Sequence, residues 1–244
     1  MSNKIVHIHI GVDAVSENII GDVMQAVSED VSESGYHFIN DDEFELNFKN
    51  AISAADGTTA EEAVKKFSDS ADVLVFSRPK FLYTGAPLNF GDVYKKAIYK
   101  FNFLQSIFSG FDVVFHLFIV DHVSYLSNHL KTARNTSPVE VIPSWIPMIS
   151  GLKSCLLDNS QLIVWNAERP DWIISELCKS VSGGRIVTDI MASAATESRV
   201  AGRKKERLLS NAGWDPELLD DLFEQDLQYI HDGDGVDENQ AGMD

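Results

Sequence analysis

Residues 4–18 constrain this chain more than any other stretch. Residues 4–10 read Lys-Ile-Val-His-Ile-His-Ile, a run rich in β-branched side chains that predicts a buried strand. Gly11 ends the run, and Ser16 is a candidate N-cap. Ile19, Ile20, Val23, Met24, Val27 and Val31 then recur at helical spacing, with Gly35 as a stop. Strand, short loop and helix form the first βα unit of an α/β sheet. In such sheets the loop after the strand carries the ligand site, because backbone N–H groups and a helix N-terminus face outward there. A phosphorylated ligand is therefore expected first at residues 12–18. That loop has no basic residue, no glycine and no threonine, the residue types a phosphate cradle uses.

The 244 residues suffice for one large α/β domain, and a 44% hydrophobic content suits a full core. No apolar run is long enough to cross a bilayer. The amino-terminal apolar run is short, is interrupted by His7 and His9, and lacks a small-residue cleavage site. It does not read as a signal peptide, so a cytoplasmic location is expected. Cys155 and Cys178 form no CxxC pair and are expected to be buried thiols. The net charge of −17 disfavours a nucleic-acid partner, since that affinity comes mainly from Lys and Arg on phosphates. Much of the acid lies after Arg207, where 11 Asp and Glu residues occur with no Lys or Arg. A modestly acidic body with basic clefts can still hold an anionic ligand.

Further strands are expected at 36–39, 72–77 (Asp-Val-Leu-Val-Phe-Ser), 112–119 (Asp-Val-Val-Phe-His-Leu-Phe-Ile) and 161–165. Residues 40–45 read as a polar loop. Thr58 or Thr59 with Glu61 or Glu62 supplies capping-box chemistry for a helix ending near Ser68. Helices are also expected at 92–108, after Asp121 as a cap, and at 170–180. Pro138 and Pro143 mark a loop. The last helix has Asp215 as N-cap and Pro216 in its first turn, followed by Leu218, Leu219, Leu222, Phe223, Leu227 and Ile230. The alternation of strands and helices implies a mostly parallel sheet with helices on both faces. Residues 1–231 read as a single domain, and 232–244 as an acidic, unstructured tail.

Several residues admit both a sharp and a bland reading. His7 and His9 share a strand face and His116 could join them, but no acid stands at ligand spacing. Core or hydrogen-bonded histidines are therefore favoured over a metal site. His122 and His129 read as a solvated helix face, and the Asp232-Gly-Asp-Gly-Val-Asp-Glu238 run as a solvated tail rather than a calcium loop. Trp145 and Trp165 read as core. The run Arg203-Lys204-Lys205 reads as a solvated face, with ligand contact the sharper alternative. Residues 78–83 (Arg-Pro-Lys-Phe-Leu-Tyr) set two cations and two aromatics in a long loop that follows a strand, a composition suited to lining a cleft.

The layout resembles the bacterial sulfotransferases. The match lies in a first strand ending His9-Ile10-Gly11, a second ending in Ser77, a strand-to-helix unit with a late Ser127, and a last helix with an Asp226-Leu227 pair. It covers about residues 4–230. The resemblance implies a P-loop-like three-layer fold and transfer of a sulfuryl group from 3′-phosphoadenosine 5′-phosphosulfate to a hydroxyl. It also implies that this donor would lie on Gly11, Val12, Asp13, Ala14, Val15, Ser16, Glu17 and Asn18, with Ser127 on the 3′ phosphate. Ala14 stands where the family has its catalytic Lys, and Val15 to Asn18 replace Thr-Gly-Thr-Thr. Glu17 adds repulsion towards an anion. Ile119 or Val120 replaces the family's phosphate-binding Arg, and Arg78-Pro79-Lys80 stands where the family often has an acid.

Two functions follow from this pattern. One is a degenerate member of the fold that binds a protein, carbohydrate or small-molecule ligand without donor chemistry. The other is an active sulfotransferase, acting on a carbohydrate or small metabolite, whose donor site is rebuilt with Arg78, Lys80 or Arg203. An unrelated α/β protein of similar layout is a third reading. The residues assign no catalytic group and no metal. The fold expectation is concrete: strands 4–10, 72–77 and 112–119 should be neighbours at the centre of a parallel sheet.

Overall fold

The computed structural model describes residues 4–11, 24–25, 35–39, 41–44, 48, 62, 64–65, 67, 69, 71–78, 90–132, 144–166, 176–177, 179–181 and 214–232. Its strands are β1 (Ile5–His9), β2 (Tyr36–Ile39), β3 (Val73–Ser77), β4 (Asp112–Ile119) and β5 (Ser160–Asn166). Its helices are α1 (Asp41–Phe44), α2 (Phe90–Ile107), α3 (His122–Thr132), α4 (Ile146–Ser154) and α5 (Pro216–Asp232). All five strands are parallel, in the order β2-β3-β1-β4-β5. The three strands expected at the centre are there, with β1 between β3 and β4. The protein is an α/β protein.

The strand order fixes where a ligand crevice can form. From β1 the chain passes to β2 on one side, and from β3 it passes to β4 on the other. The connections that leave the adjacent strands β1 and β3 therefore run in opposite directions along the sheet, and ligands of open parallel sheets collect at the carboxyl ends of such a pair. Those ends are His9, Ile10 and Gly11 on one strand and Ser77 and Arg78 on the other. The Arg78 backbone N–H donates to the His9 carbonyl at 2.8 Å, which holds the two ends together.

Side chains alternate across a strand, so the register assigns them to faces. Val6, Ile8, Leu74, Phe76, Val113, Phe115, Leu117, Leu162 and Val164 share one face, and all are buried. Helix α2 lies on it: Phe101 packs on Phe115 with ring centroids 4.2 Å apart, and Phe108 on Phe76 at 5.8 Å. Helix α4 approaches α2 closely at Gly151, where a Cβ would sit 2.8 Å from Ile98 Cδ1. Gly35 has φ +85°, and its carbonyl accepts from the N–H groups of Asp72 and Val73. That left-handed turn into β2 is one a glycine adopts without steric cost.

Three segments differ from expectation. Residues 41–44, expected in a polar loop, form α1, because Phe44 is drawn under Phe76 and Phe48 into the core. Helix α4 was not expected beyond the prolines. Pro147 lies at its second position, where a missing N–H leaves no hydrogen bond unmade, and Met148, Ile149 and Leu152 supply the buried stripe. Helix α5 continues through His231 and Asp232, into the stretch expected to lack structure. The expected caps at Asp121 and Asp215 are present: their carboxylates accept from Ser124 N at 2.6 Å and Glu217 N at 3.1 Å. The caps expected at Ser16 and at Thr58 or Thr59 lie outside the described residues.

Candidate functional site at the carboxyl ends of the central strands

The second face of the sheet is built from different chemistry. His7 and His9 of β1, Ser77 of β3, His116 and Phe118 of β4, and Trp165 of β5 all point to it by register. The strand spacing of two residues puts both β1 histidines on this face, and pairing sets His9 level with Ser77 and His116. His7, His9, His116 and Trp165 are all buried.

Two hydrogen-bonded groups result. His9 Nδ1 lies 2.7 Å from Ser77 Oγ. The other group is a ladder: Trp165 Nε1–H donates to His116 Nδ1 at 3.1 Å, and His116 Nε2 lies 3.1 Å from His7 Nδ1. An indole nitrogen can only donate, so His116 Nδ1 must be an acceptor. The His116 proton is then on Nε2 and is donated to His7 Nδ1, which leaves the His7 proton on its own Nε2. The rings also stack, with centroids 5.3 Å apart for His7 and His116 and 5.9 Å for His116 and Trp165.

Burial keeps these rings neutral. Desolvation lowers the His7 pKa from 6.5 to about 4 and the His9 pKa to about 3. His116 is lowered well below 6.5 by burial first, then by His7 and His9 beside it. Neutral imidazoles supply hydrogen-bond donors and acceptors but no positive charge near pH 7. No group of three His, Cys, Asp or Glu side chains among the described residues is arranged to hold a metal ion.

Gly11 sits at the mouth of this cluster. A Cβ there would lie 2.4 Å from His9 Nε2 and 3.2 Å from Phe118 Cβ, so a side chain at Gly11 and the His9 ring compete for one volume. The His9 ring thus fills the space where β1 gives way to residues 12–18. Arg78 follows β3 directly, half-buried, with its guanidinium carbon 4.4 Å above the centre of the Phe44 ring.

The structure brings Gly11 and Arg78 together at the carboxyl edge. Val12, Asp13, Ala14, Val15, Ser16, Glu17, Asn18, Lys80 and Arg203 lie outside the described residues. Ser127 is on α3, fully buried, and its hydroxyl donates to the Val123 carbonyl at 2.6 Å. Ile119 and Val120 are buried at the end of β4. Trp145 is core, as expected, while Cys155 is half-buried rather than buried.

A second polar cluster was not anticipated. Asp226 of α5 is buried and accepts from three groups: His122 Nε2 at 3.1 Å, the Ser144 hydroxyl at 2.8 Å and the Trp145 backbone N–H at 2.7 Å. His122 lies in the interior between Trp145 and Phe223, not on a solvated face. Its position directly after Asp121 places it at the turn out of β4, which tertiary contacts bury. The sequence signal was an acid on the apolar stripe of α5, at helical spacing from Leu219, Phe223 and Ile230. Compared with protein-family models and with curated proteins, the sequence matches none.

Proposed function

We propose that this chain is a sulfotransferase-like, P-loop-like protein that has lost donor chemistry and binds a protein, carbohydrate or small-molecule partner at the carboxyl ends of β1 and β3. The observation that carries this reading is the neutral pair His9–Ser77 at the junction where a donor-binding site requires positive charge. Sulfuryl transfer develops charge on the leaving phosphate, and an uncharged imidazole in place of a cation stabilises it poorly. The sequence adds Ala14 for the expected Lys, Glu17 within the loop, and Ile119 and Val120 for the expected Arg. The fold supports the family reading through the central placement of β1, β3 and β4.

An active enzyme with a rebuilt donor site is the second reading. Arg78 favours it, since it stands at the carboxyl end of β3 within a backbone hydrogen bond of His9. Its guanidinium lies over Phe44, so recruiting it to a phosphosulfate requires leaving that ring. Isothermal titration with 3′-phosphoadenosine 5′-phosphate separates the two. Loss of two charge-assisted contacts, each about 1.5–3 kcal/mol, weakens binding by roughly two or more powers of ten. No heat at millimolar nucleotide is the expected result. Micromolar binding that Arg78→Ala abolishes would establish the rebuilt site.

A further inference from the structure

We propose that the Trp165–His116–His7 ladder is a proton-triggered latch, closed while its rings are neutral, that releases the carboxyl half of β1 from β4 when they take up protons. The latch is independent of which ligand the crevice accepts. It rests on the direction of the two hydrogen bonds. With Trp165 donating to His116 Nδ1, every nitrogen between the rings has a fixed role. A proton on His7 Nδ1 turns the acceptor of the His116 bond into a second donor. A proton on His116 Nδ1 sets N–H against the indole N–H. Either event breaks a rung, and two protons also place like charges on rings whose centroids are 5.3 Å apart.

Among the described strand residues, no charged side chain shares this face near the ladder. The side chains sharing this face are Ile5, Val73, Val75 and Ser77 on β1 and β3, Val114 and Phe118 on β4, and Gln161 and Ile163 on β5, all uncharged. Tyr36 and Phe38 of β2 extend it. Asp112 is on this face too, but at the opposite, amino end of β4, four residues before His116. His9 is the third titratable ring and is held by Ser77 on β3. The latch therefore loosens at the carboxyl end of the β1–β4 pair, the end that borders the crevice.

Backbone amide exchange in the full chain tests this. The Ile10 N–H donates to the His116 carbonyl at the latch end, and the Asp112 N–H donates to the Lys4 carbonyl at the far end of the same strand pair. A ring with a pKa of 6.5 when released and about 4 when latched favours opening about 20-fold more at pH 5 than at pH 7. His116, also lowered well below 6.5 by burial, adds to the effect in the same direction. After correction for intrinsic exchange, the Ile10 amide should lose more than about 20-fold in protection between pH 7 and pH 5. The Asp112 amide and those of Phe101 and Leu104 in α2 should lose far less. His7→Asn keeps an acceptor for His116 but cannot be protonated, and it should remove the share of about 20-fold that His7 supplies to the loss at Ile10. Equal loss at all four amides would mean global acid unfolding and overturn the latch, even if the variant does not fold. So would a His7→Asn protein with the wild-type pH dependence.

Discussion

The protein buries two polar clusters, and they solve the same problem in opposite ways. At the centre of the sheet, three imidazoles, an indole and a hydroxyl hydrogen-bond to one another, and none of these groups is charged near pH 7. At the contact of α5 with α3 and α4, a buried carboxylate gathers an imidazole, a hydroxyl and a backbone N–H. The first cluster crosses three neighbouring strands, β1, β4 and β5, with a branch to β3, and each bond depends on strand register. The second is a hub: the Asp226 carboxylate ties α5 to both the start of α3 and the residues that lead into α4. Neutral ladders fail when protons arrive, and hubs fail when their centre is removed. The two clusters therefore respond to different perturbations.

The hub should be the more sensitive to mutation. Asp226→Ala removes the acceptor of two buried donors, His122 Nε2 and the Trp145 N–H, and of the half-buried Ser144 hydroxyl, and breaking a buried hydrogen-bonded pair of this kind costs about 3–5 kcal/mol. A lowered urea midpoint with an unchanged m-value is the expected outcome. His122 Nδ1 has no hydrogen-bond partner among the described residues, so the His122 ring depends on Asp226 for its one hydrogen bond there. A loss under 1 kcal/mol would mean that water reaches this corner and that the comparison with a dry hub is wrong.

The imidazole cluster should dominate the response to acid. Above pH 6.5 the rings are neutral whether the chain is folded or unfolded, and their full contribution is present. As pH falls below 6.5 the unfolded chain binds protons that folded His7 and His9 refuse, so stability falls. At pH 5 the deficit is about 2 kcal/mol for each ring, hence about 4 kcal/mol for these two. The loss continues until the folded values, about 4 for His7 and about 3 for His9, and then levels off. Urea titrations at pH 7, 6 and 5 should show this slope, and a His7→Asn, His9→Asn double variant should flatten it. An unchanged slope would assign acid lability to the carboxylates and remove the contrast between the clusters.

Much of the architecture was legible because hydrophobic periodicity is local. The runs around Val6, Leu74 and Phe115 are short, apolar and β-branched or aromatic, and each became a central strand. What escaped was whatever depends on register or on distant contacts. His7, His9 and His116 were read as core or hydrogen-bonded, but nothing local says that His116 would meet His7 rather than His9. By sequence Asp226 belongs both to the acidic end of the chain and to the Asp226-Leu227 pair, and neither reading gives its burial; its neighbours Asp220, Asp221 and Glu224 are exposed, while helical spacing puts it on the stripe of Leu219 and Phe223. His122 was misread for the same reason: its burial comes from Trp145 and Phe223, 23 and 101 residues away in sequence. Of the expected ligand-binding residues, Gly11 and Arg78 meet at one edge, and Ser127 is committed to its own helix backbone.

The smallest expected effect discriminates best within the ladder. Trp165→Phe keeps most of the ring area stacked on His116 and Phe118, whose centroids each lie 5.9 Å from the indole, but removes the N–H. His116 Nδ1 is then a buried acceptor without a donor, at a cost of about 1–3 kcal/mol. The substitution also lifts the constraint on tautomer. With the indole present, His116 carries its proton on Nε2 and His7 carries its own on Nε2. Without it, His116 can move its proton to Nδ1 and accept from His7 Nδ1–H, which reverses the rung while keeping it hydrogen-bonded. Nitrogen-15 shifts of the two rings at pH 7 report the change: each ring should have an unprotonated Nδ1 in the wild type, and a mixture of tautomers should appear in the variant. A single unchanged tautomer in Trp165→Phe would show that another group orients the rings, and the ladder would then lose its fixed direction.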